Sequence, residues 1–195
     1  MADDRVSDAL ASDAPLTAAV PQHEIAKEAA DAVGWDKAAL FGRTVTINRP
    51  REAVYGLWRD FENLPRFMQN VVSVADLGGG RSHWVIAAPA GRIVEWDAVL
   101  TADEPGQLLA WDSEPGADIK NSGRIEFRDA PGGRGTEVSA TIIYEPPGGD
   151  LGMLIAKLFQ KEPKMQARRE LRRFKQFAET GEVSTSAAPD AAPRG

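Results

Sequence analysis

Ser82-His-Trp-Val-Ile-Ala-Ala88, then Pro89-Ala-Gly91, then Ile93-Val-Glu-Trp-Asp-Ala-Val-Leu-Thr101 is the stretch on which the reading of this chain turns. A helix brings every third or fourth residue to one face, whereas here the apolar side chains return at every second position. Trp84 and Ile86 share one face of the first run. Val94, Trp96, Ala98 and Leu100 share one face of the second, opposite Glu95, Asp97 and Thr101. The Pro-Ala-Gly between them is turn chemistry, so the two runs read as neighbouring antiparallel strands.

The pattern continues in both directions. Upstream, Val72 to Leu77 is a strand that ends at Gly78-Gly79-Gly80. Downstream, Glu104-Pro-Gly106 turns the chain into Leu108 to Ser113, and the loop from Glu114 to Asp118 leads to Gly123 to Arg128. Pro131-Gly-Gly133 then precedes Thr136 to Tyr144, which stops at Pro146-Pro-Gly-Gly149. Alternation sorts these strands as well. Leu109, Trp111 and Ser113 oppose Leu108, Ala110 and Asp112. Ile125 and Phe127 oppose Arg124, Glu126 and Arg128, and Val138, Ala140, Ile142 and Tyr144 oppose Glu137, Ser139 and Thr141. The charged sets are expected to face water and the apolar sets to face a covering helix.

The elements around the meander supply that helix. Arg43 to Ile47 is a short β-branched strand, and Asn48-Arg49-Pro50 starts a helix with proline early in its first turn. Val54, Leu57, Trp58 and Phe61 recur at helical spacing, and Phe67 and Met68 fall in a second short helix after Glu62-Asn-Leu-Pro65. From Asp150 to about Thr180 the period is helical again, with a kink or restart at Pro163. Strand, two short helices, six strands and a long helix make an α+β plan. A twisted sheet of this size curls around its helix.

The totals bound the rest. The chain has 195 residues, 43% hydrophobic and 27% charged, and no cysteine, which excludes disulfides, thiolate chemistry and cysteine-ligated metals. The net charge is −6, but residues 38–178 hold 18 acids and 19 bases, so the acidity belongs to the ends. Residues 1–37 read as a flexible acidic extension with a short helix, 38–182 as the folded domain, and 183–195 as a loose tail. There is no apolar run of membrane-spanning length and the start lacks a secretory pattern, so the expectation is a cytoplasmic protein.

Several of these features together resemble a known family. They are His83-Trp84, Glu95-Trp96-Asp97, Ala110-Trp-Asp-Ser113, Gly135-Thr-Glu-Val138, Tyr144-Glu-Pro-Pro-Gly-Gly149 and Leu171-Arg-Arg-Phe-Lys175, taken in that order and spacing. The chain resembles bacterial polyketide cyclase/dehydrase-type proteins of the START-like (SRPBCC) superfamily, with coenzyme Q-binding START proteins as relatives, over roughly residues 43–182. The resemblance implies a helix-grip fold and a deep cavity between sheet and C-terminal helix for a lipid, quinone or polyketide. The walls would then be Trp84, Ile86, Trp96, Ala98, Trp111, Ile125, Phe127, Val138 and Ala140, with Leu154 and Leu158 from the helix. Ser113 and Tyr144 are the polar members of the inward set. The residues alone leave two readings open, a filled core and a ligand cavity.

No catalytic set emerges. His23 and His83 are far apart and no metal-ligand spacing exists, so neither a metal nor a cofactor is expected. Glu95 and Asp97 share a strand face suited to acid–base work, but alternation turns them to solvent. Gly78-Gly79-Gly80 and Gly132-Gly133 are hairpin turns rather than phosphate loops. In the last segment Leu151, Met153, Leu154, Ile155, Leu158 and Phe159 exceed a single apolar face, which suits a buried end, a gate or a bilayer contact. The bases Lys157, Lys161, Lys164, Arg168, Arg169, Arg172, Arg173 and Lys175 outnumber Glu162 and Glu170. Favourable interaction with the helix dipole and attraction to an anionic membrane surface both account for them. Nucleic acid is not expected, because no aromatic residues interleave with the bases on that face and the whole chain is acidic. The expected partner is a hydrophobic small molecule, carried by the domain or converted by a cyclase/dehydratase.

Overall fold

The computed structural model describes residues 39–88, 91–117, 119–145 and 163–184. The chain opens with β1 (Ala39–Ile47), followed by α1 (Arg51–Arg59), a 3-10 turn (Phe61–Asn63) and α2 (Leu64–Phe67). Then come β2 (Val71–Gly78), β3 (Arg81–Ala88), β4 (Arg92–Glu104), β5 (Leu108–Ser113), β6 (Lys120–Asp129) and β7 (Thr136–Glu145), and finally α3 (Pro163–Thr180). The seven strands form one antiparallel sheet in the order β1-β7-β6-β5-β4-β3-β2. This is the helix-grip α+β plan, with α3 packed along β1 and against α2.

Pro50 stands just before the first turn of α1 rather than early in it. It is the N-cap of α1, with ψ 145, which is extended and therefore outside the first turn. Glu52 in the first turn and Arg59 in the last complement the helix dipole. The apolar face of α1 buries Val54 and Trp58, and Phe61, Leu64, Phe67 and Met68 continue that face through the 3-10 turn and α2. Leu171, Phe174, Phe177 and Ala178 of α3 close over it. Phe174 is the keystone: its ring lies 4.6 Å from Trp58, edge-on, and 4.8 Å from Phe67.

The sheet alternates as expected, with informative exceptions. Val45, Ile47, Val138, Phe127, Ile125 and Leu109 are buried on the inner face. Leu108, expected outside, is buried and lines a rim groove together with Arg51, Gln107 and Arg124. Glu137, also expected in water, is only 8% exposed; it lies on an interior strand between Thr46 of β1 and Arg128 of β6. A register shift between Leu100 and Ala102 makes Thr101 an extra residue, which bends β4 near its end.

Gly135 turns the chain into β7 at φ +95, and a β-carbon there would sit 2.1 Å from the Ile47 carbonyl oxygen. Only glycine fits both the conformation and the space. Of the helix expected from Asp150 to about Thr180, the part from Pro163 onward is α3, while residues 150–162, the N-terminal extension and the tail from 185 onward lie outside the described residues. Among the described residues no helix is long and apolar enough to cross a membrane.

Candidate functional site

Three tryptophans from three adjacent strands meet on the inner face. The rings of Trp84 and Trp96 are centred 5.9 Å apart with planes 8° from parallel, and Trp84 and Trp111 are 5.7 Å apart at 19°. Register explains the first pair, since Trp84 and Trp96 are direct cross-strand partners. The Trp111 ring also lies across Gly123 of β6, its neighbour on the other side of β5; a β-carbon at Gly123 would be 2.0 Å from Trp111 Cζ2. The Trp111 ring thus fills the space that a side chain at 123 would take.

Polar partners fix the stack. Trp84 Nε1 donates to Ser82 Oγ at 3.0 Å, and Trp111 Nε1 donates to Asn121 Oδ1 at 2.9 Å. Trp96 Nε1 is buried without a hydrogen-bond partner. Ser113 is on the inner face, and its hydroxyl oxygen accepts the Asn121 backbone N–H at 3.0 Å, anchoring the start of β6. Phe61 links the stack to the Trp58–Phe174 core at 6.1 Å from Trp84.

Burial is uneven along the inner face. Most inward residues are sealed, Val94 and Ile86 among them, while Leu100 is partly buried. Trp96, Ser113, Asn121 and Ile142 are likewise only half-buried although they share that face. These four fall on consecutive strands β4, β5, β6 and β7, with Asn121 beside both Ser113 and the Ile143 carbonyl. Ile86, Ala98, Ile125, Phe127, Val138 and Ala140 of the expected walls are buried around them. Leu154 and Leu158 lie outside the described residues, as does the side chain of Tyr144.

Sequence reasoning missed two inner-face residues. Arg43, opposite Ala140, is 7% exposed and puts a charged side chain on the inner face. Its alternation with Val45 and Ile47 was the available signal. Asn121 falls between the loop expected over Glu114 to Asp118 and the strand expected from Gly123, so alternation assigned it no face.

The titratable groups weighed for chemistry lie on the outer face. His83 Nδ1 is 2.7 Å from Asp97 Oδ1, and its Nε2 is 3.7 Å from Glu95 Oε2. Arg81 pairs with Glu114 and lies 3.7 Å from Asp97. Hydrogen bonding to Arg81 holds the Glu114 carboxyl below its usual range. The sheet separates this array from the tryptophans. A groove of about 280 Å³ at the start of α1 holds Arg51, Arg124 and Arg128, but these pair with Asp129 and Glu126 at 3.0–3.6 Å, so it is a polar rim. Among the described residues no His/Cys/Asp/Glu group is arranged to hold a metal.

Residues 47–171 match the family described as polyketide cyclase/dehydrase and lipid transport. The chain belongs to this family. No curated protein matches the sequence. A Deinococcus radiodurans protein of known structure is 43% identical, with a TM-score of 0.61, over 73% of this chain and 98% of the other. A Thermus thermophilus protein is 28% identical, with a TM-score of 0.58, over 72% and 97%. The ZhuI aromatase/cyclase of a Streptomyces species is 14% identical, with a TM-score of 0.53, over 75% and 99%, a likeness of fold alone. In this polyketide cyclase/dehydrase family member, the inner face with its tryptophan stack is the candidate site.

Proposed function

We propose that this protein binds a hydrophobic small molecule, of lipid, quinone or polyketide type, between the inner face of the sheet and the C-terminal helix, and acts as its carrier or chaperone. The observation that carries this reading is the half-buried band of Trp96, Ser113, Asn121 and Ile142 beside the tryptophan stack. A fully packed core would seal these positions as it seals Leu109 and Ile125. Apolar walls supply affinity through surface removed from water, about 25 cal/mol per Å² before the costs of ordering. The Ser113 hydroxyl offers a polar handle that orients the guest.

The enzyme reading, a cyclase or dehydratase, needs an acid or base within this face. His83, Glu95 and Asp97 are on the other side of the sheet. Arg43 is the charged group that keeps the alternative alive, because a guanidinium stabilises a developing oxyanion. Native mass spectrometry of protein purified from its own host tests the main reading: a co-purified hydrophobic molecule is expected. Displacement of a bound lipophilic probe, followed by tryptophan fluorescence, gives a second readout. No bound molecule and no probe uptake would overturn the reading. Conversion of a bound polyketide, lost in Arg43→Gln, would favour the enzyme.

A further inference from the structure

The last helix carries the strongest concentration of charge in the described chain. Over 163–180 there are six bases, Lys164, Arg168, Arg169, Arg172, Arg173 and Lys175, and two acids, Glu170 and Glu179, a net +4 in a chain of net −6. The helix dipole does not account for them. Its influence is confined to the last turn, and the last turn of α3 contains no base. Two basic residues do satisfy its C-terminal end, but they come from elsewhere: Arg49 donates to the Glu179 carbonyl and Arg66 to the Gly181 carbonyl, both at 3.2 Å.

Lys175 and Glu179 turn towards the β1–α1 junction. Lys175 Nζ donates to the Thr46 carbonyl at 2.6 Å, and Glu179 accepts the Asn48 N–H at 2.7 Å. The remaining arginines form a stripe. Leu171, Phe174, Phe177 and Ala178 are buried, so the opposite side presents Arg169 and Arg172 to solvent with Arg168 and Arg173 half-buried beside them. Arg168–Arg172 and Arg169–Arg173 are i,i+4 pairs of like charge, which weaken a helix. Glu170 is the acid among them.

We infer that this stripe docks the protein on an anionic lipid bilayer. Arginine forks match phosphate oxygens, and a row about 8 Å long over Arg168 to Arg173 fits an array of headgroups better than a single free phosphate. Nucleic acid fits less well, because Phe174 and Phe177, the aromatic residues of this helix, are buried and offer no stacking platform. The inference deepens the carrier reading, since a guest with little water solubility is collected and released at a membrane.

The test uses the full chain in co-sedimentation with vesicles of phosphatidylcholine alone and of phosphatidylcholine with one-third phosphatidylglycerol, at low and high salt. Binding is expected on the anionic vesicles alone, weakened by salt. Each arginine near the surface is worth about fivefold in affinity, so Arg169→Gln with Arg172→Gln lowers it about 25-fold. Equal binding to neutral vesicles, no binding, an unchanged double variant, or displacement of the vesicles by RNA would overturn the inference. The lipophilic probe separates the two proposals. The double variant is expected to take up probe like the parent, whereas loss of probe uptake in the parent with vesicle binding intact would sink the carrier reading alone.

Discussion

The indole of Trp111 lies over the α-carbon of Gly123, its cross-strand partner, so closely that a β-carbon at 123 would be 2.0 Å from Cζ2. The inner face is thus built by fitting a large ring over a residue with no side chain, and the position of the whole stack depends on it. Gly123→Ala is expected to push Trp111 off the sheet and destabilise the fold by about 1–3 kcal/mol. Urea unfolding with near-ultraviolet circular dichroism checks both effects. A variant with unchanged stability and spectrum would mean that Trp111 has another place to lie.

Trp84 is the centre of the stack, between Trp96 and Trp111. Near-parallel indoles at this spacing couple, so the protein is expected to show a coupled circular dichroism signal that Trp84→Phe removes and Trp58→Phe leaves. Probe binding should quench the tryptophan emission less in Trp96→Phe than in the parent.

Phe174 touches Trp58 and Phe67 at once and is fully buried. Phe174→Ala is expected to cost about 3–5 kcal/mol, because three elements lose a shared contact and the cavity cannot collapse. Thermal unfolding measures it, with Gln176→Ala on the same helix as the neutral comparison.

Tyr55, Arg59 and Asp103 tie α1 to the end of β4. The Tyr55 hydroxyl and Arg59 Nε both donate to the Asp103 carboxylate, the latter at 2.8 Å. Burial, then the hydrogen bond to Asp103 and its charge, push Tyr55 from 10.0 up to about 12. A folded value above the unfolded one means that the contribution is complete below pH 10.0 and is lost as pH rises towards about 12. Burial alone would raise Asp103, but the hydrogen bonds from Tyr55 and Arg59 hold it below its ordinary value. Its contribution is present above the ordinary carboxylate range and fades as pH falls through the depressed value. Both groups are partly exposed, so solvent screening keeps the effects small. Stability of Tyr55→Phe is therefore expected to fall less steeply than the parent's at alkaline pH, and chemical denaturation across that range measures it.

The strands and their turns were legible because period-two alternation and Gly/Pro punctuation are local signals. Strand ends were not. β6 begins at Lys120 rather than Gly123, since Asn121 is held by Ser113 Oγ and by the Trp111 ring, partners from another strand. Arg43 escaped because a charged residue near a strand start reads as solvent-facing until its neighbours across the sheet are known. Alternation assigns a face and says nothing of depth. It set Trp84, Trp96 and Trp111 inward correctly, and it could not reveal that Gly123 is filled while Trp96, Ser113 and Ile142 are half-open.

The ladder between β1 and β7 joins residues far apart in the chain, as in the 2.8 Å bond between Thr44 and Ser139, 95 positions on. At about 5–20 residues per second of synthesis, β1 waits several seconds on the ribosome before its partner exists, while β2 to β6 can already zip in order. β1, although made before the other described strands, is thus among the last to be seated. Until then its β-branched edge is open to any stray chain, so this stretch is where translation-time quality control has most to guard.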